Sequence, residues 1–253
     1  MNIAIITGAS SGLGREFVYL TDHAGVDEIW VLARRRDRLE ALKKMVRTPV
    51  RIFAGDVTDA VTIDAVREAL QVQQPVVRFL IHAAGLGKIG SAGDILPSQI
   101  HQMLAVNCEA AVILTELCLP FMVMGCHIAH ICSVAAFQPV PYLNVYAATK
   151  AFVYRYCRAL EMELKPRGIM VTAVCPYWIR DTEFIAVAQE TRNSSYFCHF
   201  PFAGKERDVA ATAFRDICRG RSVSTPGLMA KLDRIVAKCI PAGIMMRLVQ
   251  LFR

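Results

Sequence analysis

The sequence is short of several things. It has no uncharged apolar run of the roughly 18 residues that a membrane-crossing helix needs, although its mean hydropathy of +0.35 is high. No basic leader or small-residue cleavage site follows Met1, so the expected location is the cytoplasm. None of the nine cysteines (108, 118, 126, 132, 157, 175, 198, 218 and 239) forms a Cys-x-x-Cys pair. An odd count with mostly apolar neighbours predicts buried, reduced thiols. Clustered His, Cys and carboxylate ligands are lacking, which argues against a zinc site and predicts no metal. Repeats and low-complexity segments are absent too. A groove-reading motif does not accompany the excess of positive charge, so nucleic acid is not an expected partner.

What is present is a core-forming chain. Of 253 residues, 54% are hydrophobic and 20% charged, which excludes a disordered polymer and allows a full core without disulfides or metal. Short β-branched runs alternate with helical patterns. Strands are expected at residues 2–7, 28–33, 50–54, 78–82, 127–132 and 169–174, and helices at 13–22, 36–46, 60–71, 98–123 and 145–166. Such alternation implies an α/β fold, a Rossmann-like, doubly wound parallel sheet in three α/β/α layers. It is read as a single domain over 1–253. The pattern breaks after residue 182 into an aromatic segment, 183–208, expected to be a substrate lid. A helix over 207–218 and a short strand over 221–225 follow, then a basic amphipathic tail over 228–253.

Three groups of residues carry chemistry. Thr7-Gly8-Ala-Ser10-Ser11-Gly12-Leu13-Gly14 lies between an expected strand and an expected helix. Glycines there let the backbone approach a diphosphate, and the helix N-terminus supplies free N–H groups and a positive dipole end. The second strand ends at Ala33, followed by Arg34, Arg35 and Arg36. An acid near that point would bind a ribose 2′-hydroxyl. Arginine suits a 2′-phosphate instead, so NADP(H) is the expected cofactor, with Arg34 ahead of Arg35. Asp56 and Val57 follow the third strand, where an adenine edge would lie.

The third group is Ser133, Tyr146 and Lys150. Tyr146 and Lys150 are four apart at the start of a helix and share a face. A free tyrosine, with a pKa of about 10, is a poor acid at neutral pH. A nearby ammonium favours its phenolate, and a serine hydroxyl can hold a carbonyl oxygen beside it. A lone Tyr-x-x-x-Lys would be an ordinary amphipathic helix. Its combination with Ser133, the glycine turn and Arg34 is what points to carbonyl reduction.

On these residues the chain resembles the short-chain dehydrogenase/reductase family over essentially its whole length. The matching positions are Thr7-Gly8-x-x-x-Gly12-x-Gly14, Asp56, Ala84-Gly85, Asn107, Ser133, Tyr146-x-x-x-Lys150 and Pro176. The resemblance implies that Tyr146 is the general acid or base, and that Lys150 binds the nicotinamide ribose and lowers the Tyr146 pKa. It implies that Ser133 orients the substrate oxygen and that Asn107 holds a relay water. Pro176, Ile179 and Thr182 would face the nicotinamide or diphosphate. The family's Asn-Asn-Ala-Gly reads His82-Ala83-Ala84-Gly85, so its cross-sheet hydrogen bonds are lost or remade. Its Pro-Gly reads Pro176-Tyr177, as in the branch of 3-oxoacyl-CoA reductases and 17β-hydroxysteroid dehydrogenases. A homo-oligomer, dimer or tetramer, is the family expectation.

The lid holds Phe184, Tyr196, Phe197, Phe200 and Phe202, and Tyr142, Leu143 and Tyr177 stand near its mouth. An apolar pocket suits a lipophilic carbonyl or alcohol, such as a hydroxysteroid or 3-oxoacyl compound. The same aromatics would also serve simply to pack the lid. From Arg219 onward, seven basic residues face one acid, Asp233. Three readings of the tail stand side by side: a helix packed on the sheet, a peripheral helix on an anionic membrane, or a grip on an acidic carrier. In the membrane reading Ile244, Met245, Met246, Leu248, Val249, Leu251 and Phe252 interleave with Arg247 and Arg253. The rival functions are a cofactor-binding regulator without turnover and a membrane-surface scaffold of the same fold.

Overall fold

The computed structural model describes residues 1–197 and 200–251. Cys198, Phe252 and Arg253 lie outside the described residues. The elements follow the alternation in the sequence. They begin with β1 (Asn2–Thr7), α1 (Gly12–Thr21), β2 (Glu28–Ala33), α2 (Arg36–Lys43), β3 (Val50–Ala54), α3 (Ala60–Gln73) and β4 (Val76–His82). Next come α4 (Pro97–Leu104), α5 (Ala110–Cys118), β5 (His127–Ile131), α6 (Asn144–Leu164) and β6 (Met170–Val174). The chain continues through β7 (Ile179–Arg180), α7 (Phe184–Ala188), β8 (Gly204–Lys205), α8 (Glu206–Cys218), β9 (Val223–Ser224), α9 (Leu228–Cys239) and α10 (Ala242–Leu251).

Seven strands form one parallel sheet in the order β3-β2-β1-β4-β5-β6-β9. Buried on both faces, β1, β2 and β4 read as near-continuous apolar runs rather than alternating ones. One face packs on α3, α5 and α6 through residues such as Val66, Leu70, Leu114, Val153 and Leu160. The other packs on α1, α2 and α8 through Phe17, Leu39, Ala210 and Ala213. The strand order reverses between β1 and β4, and that switch point opens a crevice at the strands' C-terminal ends.

The helix expected over 98–123 is interrupted. Between α4 and α5 the backbone widens into a π-helical turn, Ala105–Glu109, that carries Asn107. Such turns re-aim a side chain without ending the helix. By length and composition alone the helical run Pro97–Phe121 is apolar enough to cross a membrane, and half of its most apolar window is buried in the core.

The lid also differs from its expected bounds. β7 and β8 pair in parallel, Ile179 with Gly204 and Arg180 with Lys205, and pinch the segment between them into a closed excursion. Residues 206–208 belong to α8. The first tail helix, α9, is mostly exposed. Of α9 only Ala230 is buried, and Leu228, Leu232 and Ile235 are exposed. The helix instead lies across the short turn that follows β5. Of the eight described cysteines, six are buried as expected, but Cys218 and Cys239 are exposed.

At His82 a hydrogen bond runs from the sheet to the covering helix α5. Thr115 donates its hydroxyl to Ala111 O at 2.7 Å, so its oxygen accepts from His82 Nε2 at 2.9 Å. The His82 and His130 rings stack at 4.3 Å. Burial lowers the His82 pKa to about 3 and drives His130 below its ordinary value as well. The unfolded chain therefore binds protons, from about pH 6.5 downward, that the folded chain refuses. Stability present above that pH is lost as it falls toward about 3, the folded His82 value. Urea unfolding at about pH 7 and again at about pH 5.5 should show a loss on the order of 1 kcal/mol per histidine. His82→Asn should lose less between the two than wild type; an equal loss would show that His82 does not govern the acid response.

Candidate active site

A single cavity of about 970 Å³ runs along the C-terminal ends of the strands, within the size range of small-molecule sites. At one end sits the turn between β1 and α1. Gly8 takes φ +68° and donates its N–H to Leu32 O at 2.9 Å. A Cβ on Gly8 would lie 2.7 Å from Ala84 N, and one on Gly14 would collide with the Gly8 carbonyl. Both positions need glycine for close backbone approach. Ser11 stands at the N-cap of α1 without a side-chain capping bond, so the first N–H groups of the helix remain for an anion. Gly8, Ser10, Ser11, Gly12, Leu13 and Gly14 all line the cavity. This cradle fits the diphosphate of a dinucleotide.

Beyond it stand Arg34 and Arg35 at the end of β2. Arg34 is exposed and, among the described residues, has no hydrogen bond or ion pair. Arg35 is already engaged, donating to Ser10 Oγ at 3.2 Å, Ser11 Oγ at 2.8 Å and Glu183 at 2.7 Å. Glu183 also accepts from Arg38, and these arginines hold its carboxyl below the usual range. Glu183 carries no motif of its own and reaches this end only because the lid folds back over it. Asp56 and Val57 line the same end, with one Asp56 oxygen accepting from Thr58 N and Oγ1.

At the other end of the cradle, Ser133, Tyr146 and Lys150 come together with Ala84, Gly85, Pro176, Ile179 and Thr182 along the same wall. Ser133 caps the turn after β5, its Oγ accepting from Ala135 N at 3.2 Å. Lys150 Nζ donates to Ile131 O at 2.7 Å and lies 5.7 Å from the Tyr146 ring centre. Tyr146 and Lys150 are buried. Burial is the largest influence on Tyr146 and pushes its pKa up, while hydrogen bonding with Ser133 pulls it down. Burial wins, and the phenol stands above its ordinary pKa rather than below it. Burial also lowers the Lys150 pKa.

Asn107 does not line the cavity. Its amide clamps Leu86, accepting from Leu86 N at 3.0 Å and donating to Leu86 O at 2.8 Å and Thr149 Oγ1 at 2.9 Å. Behind the site this fixes the Gly85–Leu86 backbone, with both ends of the Asn107 amide hydrogen-bonded.

The substrate end is apolar. Tyr177 and Phe184 line it as expected, with Phe184 at 5.5 Å from the Tyr146 ring. Tyr142 does not: its ring stacks on Tyr196 at 4.0 Å, outside the lining. The neighbouring Leu143 lines the wall instead. Of the lid aromatics, Phe197 and Phe202 face the cavity, while Phe197 and Phe200 both pack on Trp178. The segment thus both lines the cavity and packs on the body. Met229, Asp233 and Met245 close this end from the tail. They carried no motif, because only the chain's return over the cavity brings them there. Among the described residues no His, Cys, Asp and Glu cluster could hold a metal ion.

A family model described as short chain dehydrogenase matches residues 2–193. A sulfoacetaldehyde reductase of Chromohalobacter salexigens is 37% identical over 188 residues, spanning 72% of this chain and 74% of that protein. A short-chain dehydrogenase from Sphingobium yanoikuyae, solved in complex with NADPH, is 26% identical with a TM-score of 0.79, covering 97% of this chain and 95% of that one. A 3-ketoacyl-(acyl-carrier-protein) reductase from Brucella melitensis, solved with NADH, shares the fold at 23% identity and a TM-score of 0.75, covering 88% and 96%.

The cradle makes a direct prediction. Gly14→Ala forces a methyl into the Gly8 carbonyl, at a cost of about 1–3 kcal/mol. That should lower the melting temperature by roughly 3–10 °C and weaken dinucleotide binding. Gly243→Ala, with nothing within 4 Å of the added carbon, should leave both unchanged in the same thermal scan and titration.

Proposed function

The chain belongs to the short-chain dehydrogenase family and is an oxidoreductase that works with a nicotinamide cofactor; from that premise we propose that it interconverts a lipophilic ketone and its secondary alcohol using NADP(H). The observation that carries this reading is the convergence of Ser133, Tyr146 and Lys150 in one cavity with an anion cradle and Arg34. The cradle formed by Gly8, Ser10, Ser11, Gly12 and the start of α1 would hold the diphosphate. Arg34, which has no protein partner among the described residues, would meet the 2′-phosphate. The bound nicotinamide supplies or accepts the hydride.

The chain's own residues manage the proton and the orientation. Ser133 Oγ holds the carbonyl oxygen. Tyr146, kept neutral by burial, donates its phenolic proton to that oxygen as negative charge develops there, and takes it back in the oxidative direction. Lys150 Nζ, tethered to Ile131 O, steadies the phenolate left behind. Phe184 excludes water from one side of the Tyr146 ring.

The lipophilic class is favoured by what lines the far wall. Trp178, Phe184, Phe197, Phe202, Met229 and Met245 stand there, and the cations among the described lining residues are Arg34, Arg35 and Lys150. The first two flank the cradle and the third lies beneath Tyr146, so the substrate end offers no cation for a sulfonate. A hydroxysteroid or 3-oxoacyl compound suits that wall better than a small anion.

Tyr146→Phe should reduce turnover of a ketone panel about 10²–10⁴-fold and leave NADPH binding intact. A variant that keeps its turnover would overturn the proton assignment, and a wild type that binds NADPH but reduces no ketone would support the regulator reading. Removing one charge-assisted contact costs about 1.5–3 kcal/mol. Arg34→Ala should therefore raise the Kd for NADPH by roughly 10- to 100-fold and leave that for NADH nearly unchanged in a fluorescence titration.

A further inference from the structure

The tail turns an acid toward the cavity. α9 is held over the site by Gln138, which donates to Ala237 O at 2.6 Å and Ile240 O at 3.3 Å. With its C-terminal end tied there, the helix exposes Leu228, Leu232 and Ile235 and brings Met229 and Asp233 to the cavity wall. Asp233 is half-buried and near Tyr177, whose phenol pKa is raised by burial first and by the Asp233 charge second. Among the described residues it has no hydrogen bond and no ion pair. The other acids of the lining are committed elsewhere: Asp56 to Thr58, and Glu183 to Arg35 and Arg38. A half-buried carboxylate without a partner is costly to keep. Met229, Met245 and Trp178 stand beside it on that wall, and the nearby Tyr177 phenol makes no hydrogen bond to it among the described residues.

We propose that Asp233 is a specificity-determining group that accepts a hydrogen bond from a donor, a hydroxyl or an ammonium, on the part of a lipophilic substrate remote from its reacting carbonyl. The inference rests on the reductase reading of the site and narrows it. An apolar wall alone accepts any greasy ketone, since added methylenes change affinity only modestly. An acceptor that must be paired rejects the analogue that lacks the donor far more strongly. The same carboxylate repels anions, so a substrate ending in a sulfonate or carboxylate is excluded. A polycyclic ketone with a distal hydroxyl is selected over a plain acyl chain. Burial pushes the Asp233 pKa up to about 6, still ionised at neutral pH and without any protein group to lower it.

The test uses three rigid probes: androstan-17-one, its 3-hydroxy derivative and its 3-amino derivative. Each is assayed for NADPH-dependent reduction and titrated by tryptophan fluorescence, Trp178 being in the wall. Wild type should prefer the hydroxy and amino probes by about 10- to 100-fold in kcat/KM and in affinity. Asp233→Ala should collapse both ratios to within about twofold. Asp233→Asn, which keeps a neutral acceptor, should retain part of the hydroxyl preference and lose the ammonium preference. Lys238→Ala, on the exposed side of the same helix, should keep the wild-type ratios. A preference that survives Asp233→Ala, or a wild type without one, would overturn the proposal. Asp233-dependent binding without reduction of any probe would uphold the acceptor site and sink the reductase reading. Reduction of all three at equal efficiency would do the reverse.

Discussion

Everything at the site depends on one close approach, that of the Gly8 turn to the end of β4. A Cβ at Gly8 would press on Ala83 and Ala84 backbone atoms, and one at Gly14 on the Gly8 carbonyl. Strand, turn and helix thus meet at backbone distance where the order of the parallel sheet reverses. That contact aims the N-terminus of α1 into the crevice and sets where a dinucleotide must lie. It also places β5, two strands away from β1, so that Ser133 at its end faces the same space as Tyr146 and Lys150 on α6.

Burial is the second constraint, and it acts in two directions. Across the sheet it keeps His82 and His130 neutral and stacked, with Thr115 as the polar partner. An imidazole at His82 thus stands where the family has an amide, at the cost of acid sensitivity. In the cavity, the same exclusion of water holds the Tyr146 phenol protonated, which suits it to donate in the reductive direction. The Ile131 carbonyl gives Lys150 a donor's partner, and the π-helical turn at Asn107 locks the backbone beside both. The chemistry therefore stands on the core and not on mobile loops.

The sheet was legible because buried parallel strands are short continuous apolar runs, and runs such as Ile3–Ile6 and Ile29–Leu32 are unmistakable beside helical patterns. The glycine turn and the Tyr146–Lys150 pair were legible because their roles depend on local spacing along one turn or one helix face. Arg34 was placed ahead of Arg35, but the contacts that separate the two were not legible. Arg35 is drawn off by Ser10, Ser11 and Glu183, and Glu183 lies 148 residues away in the chain. Tyr142 was misread for a similar reason: proximity to Tyr146 in sequence placed it at the mouth, while its stacking on Tyr196 turned it aside.

The sequence by itself determined the architecture, the family and the set of Ser133, Tyr146 and Lys150 that shares the cavity, because each is written in local pattern. Tertiary structure alone decided which side of the tail faces the cavity. The apolar spacing of Leu228, Leu232 and Ile235 reads as a core stripe, yet these residues are exposed and Asp233 turns inward with Met229. Periodicity says that a helix has two faces. Only the Gln138 anchor and the lid's closed excursion, both contacts between distant parts of the chain, say which face the cavity receives.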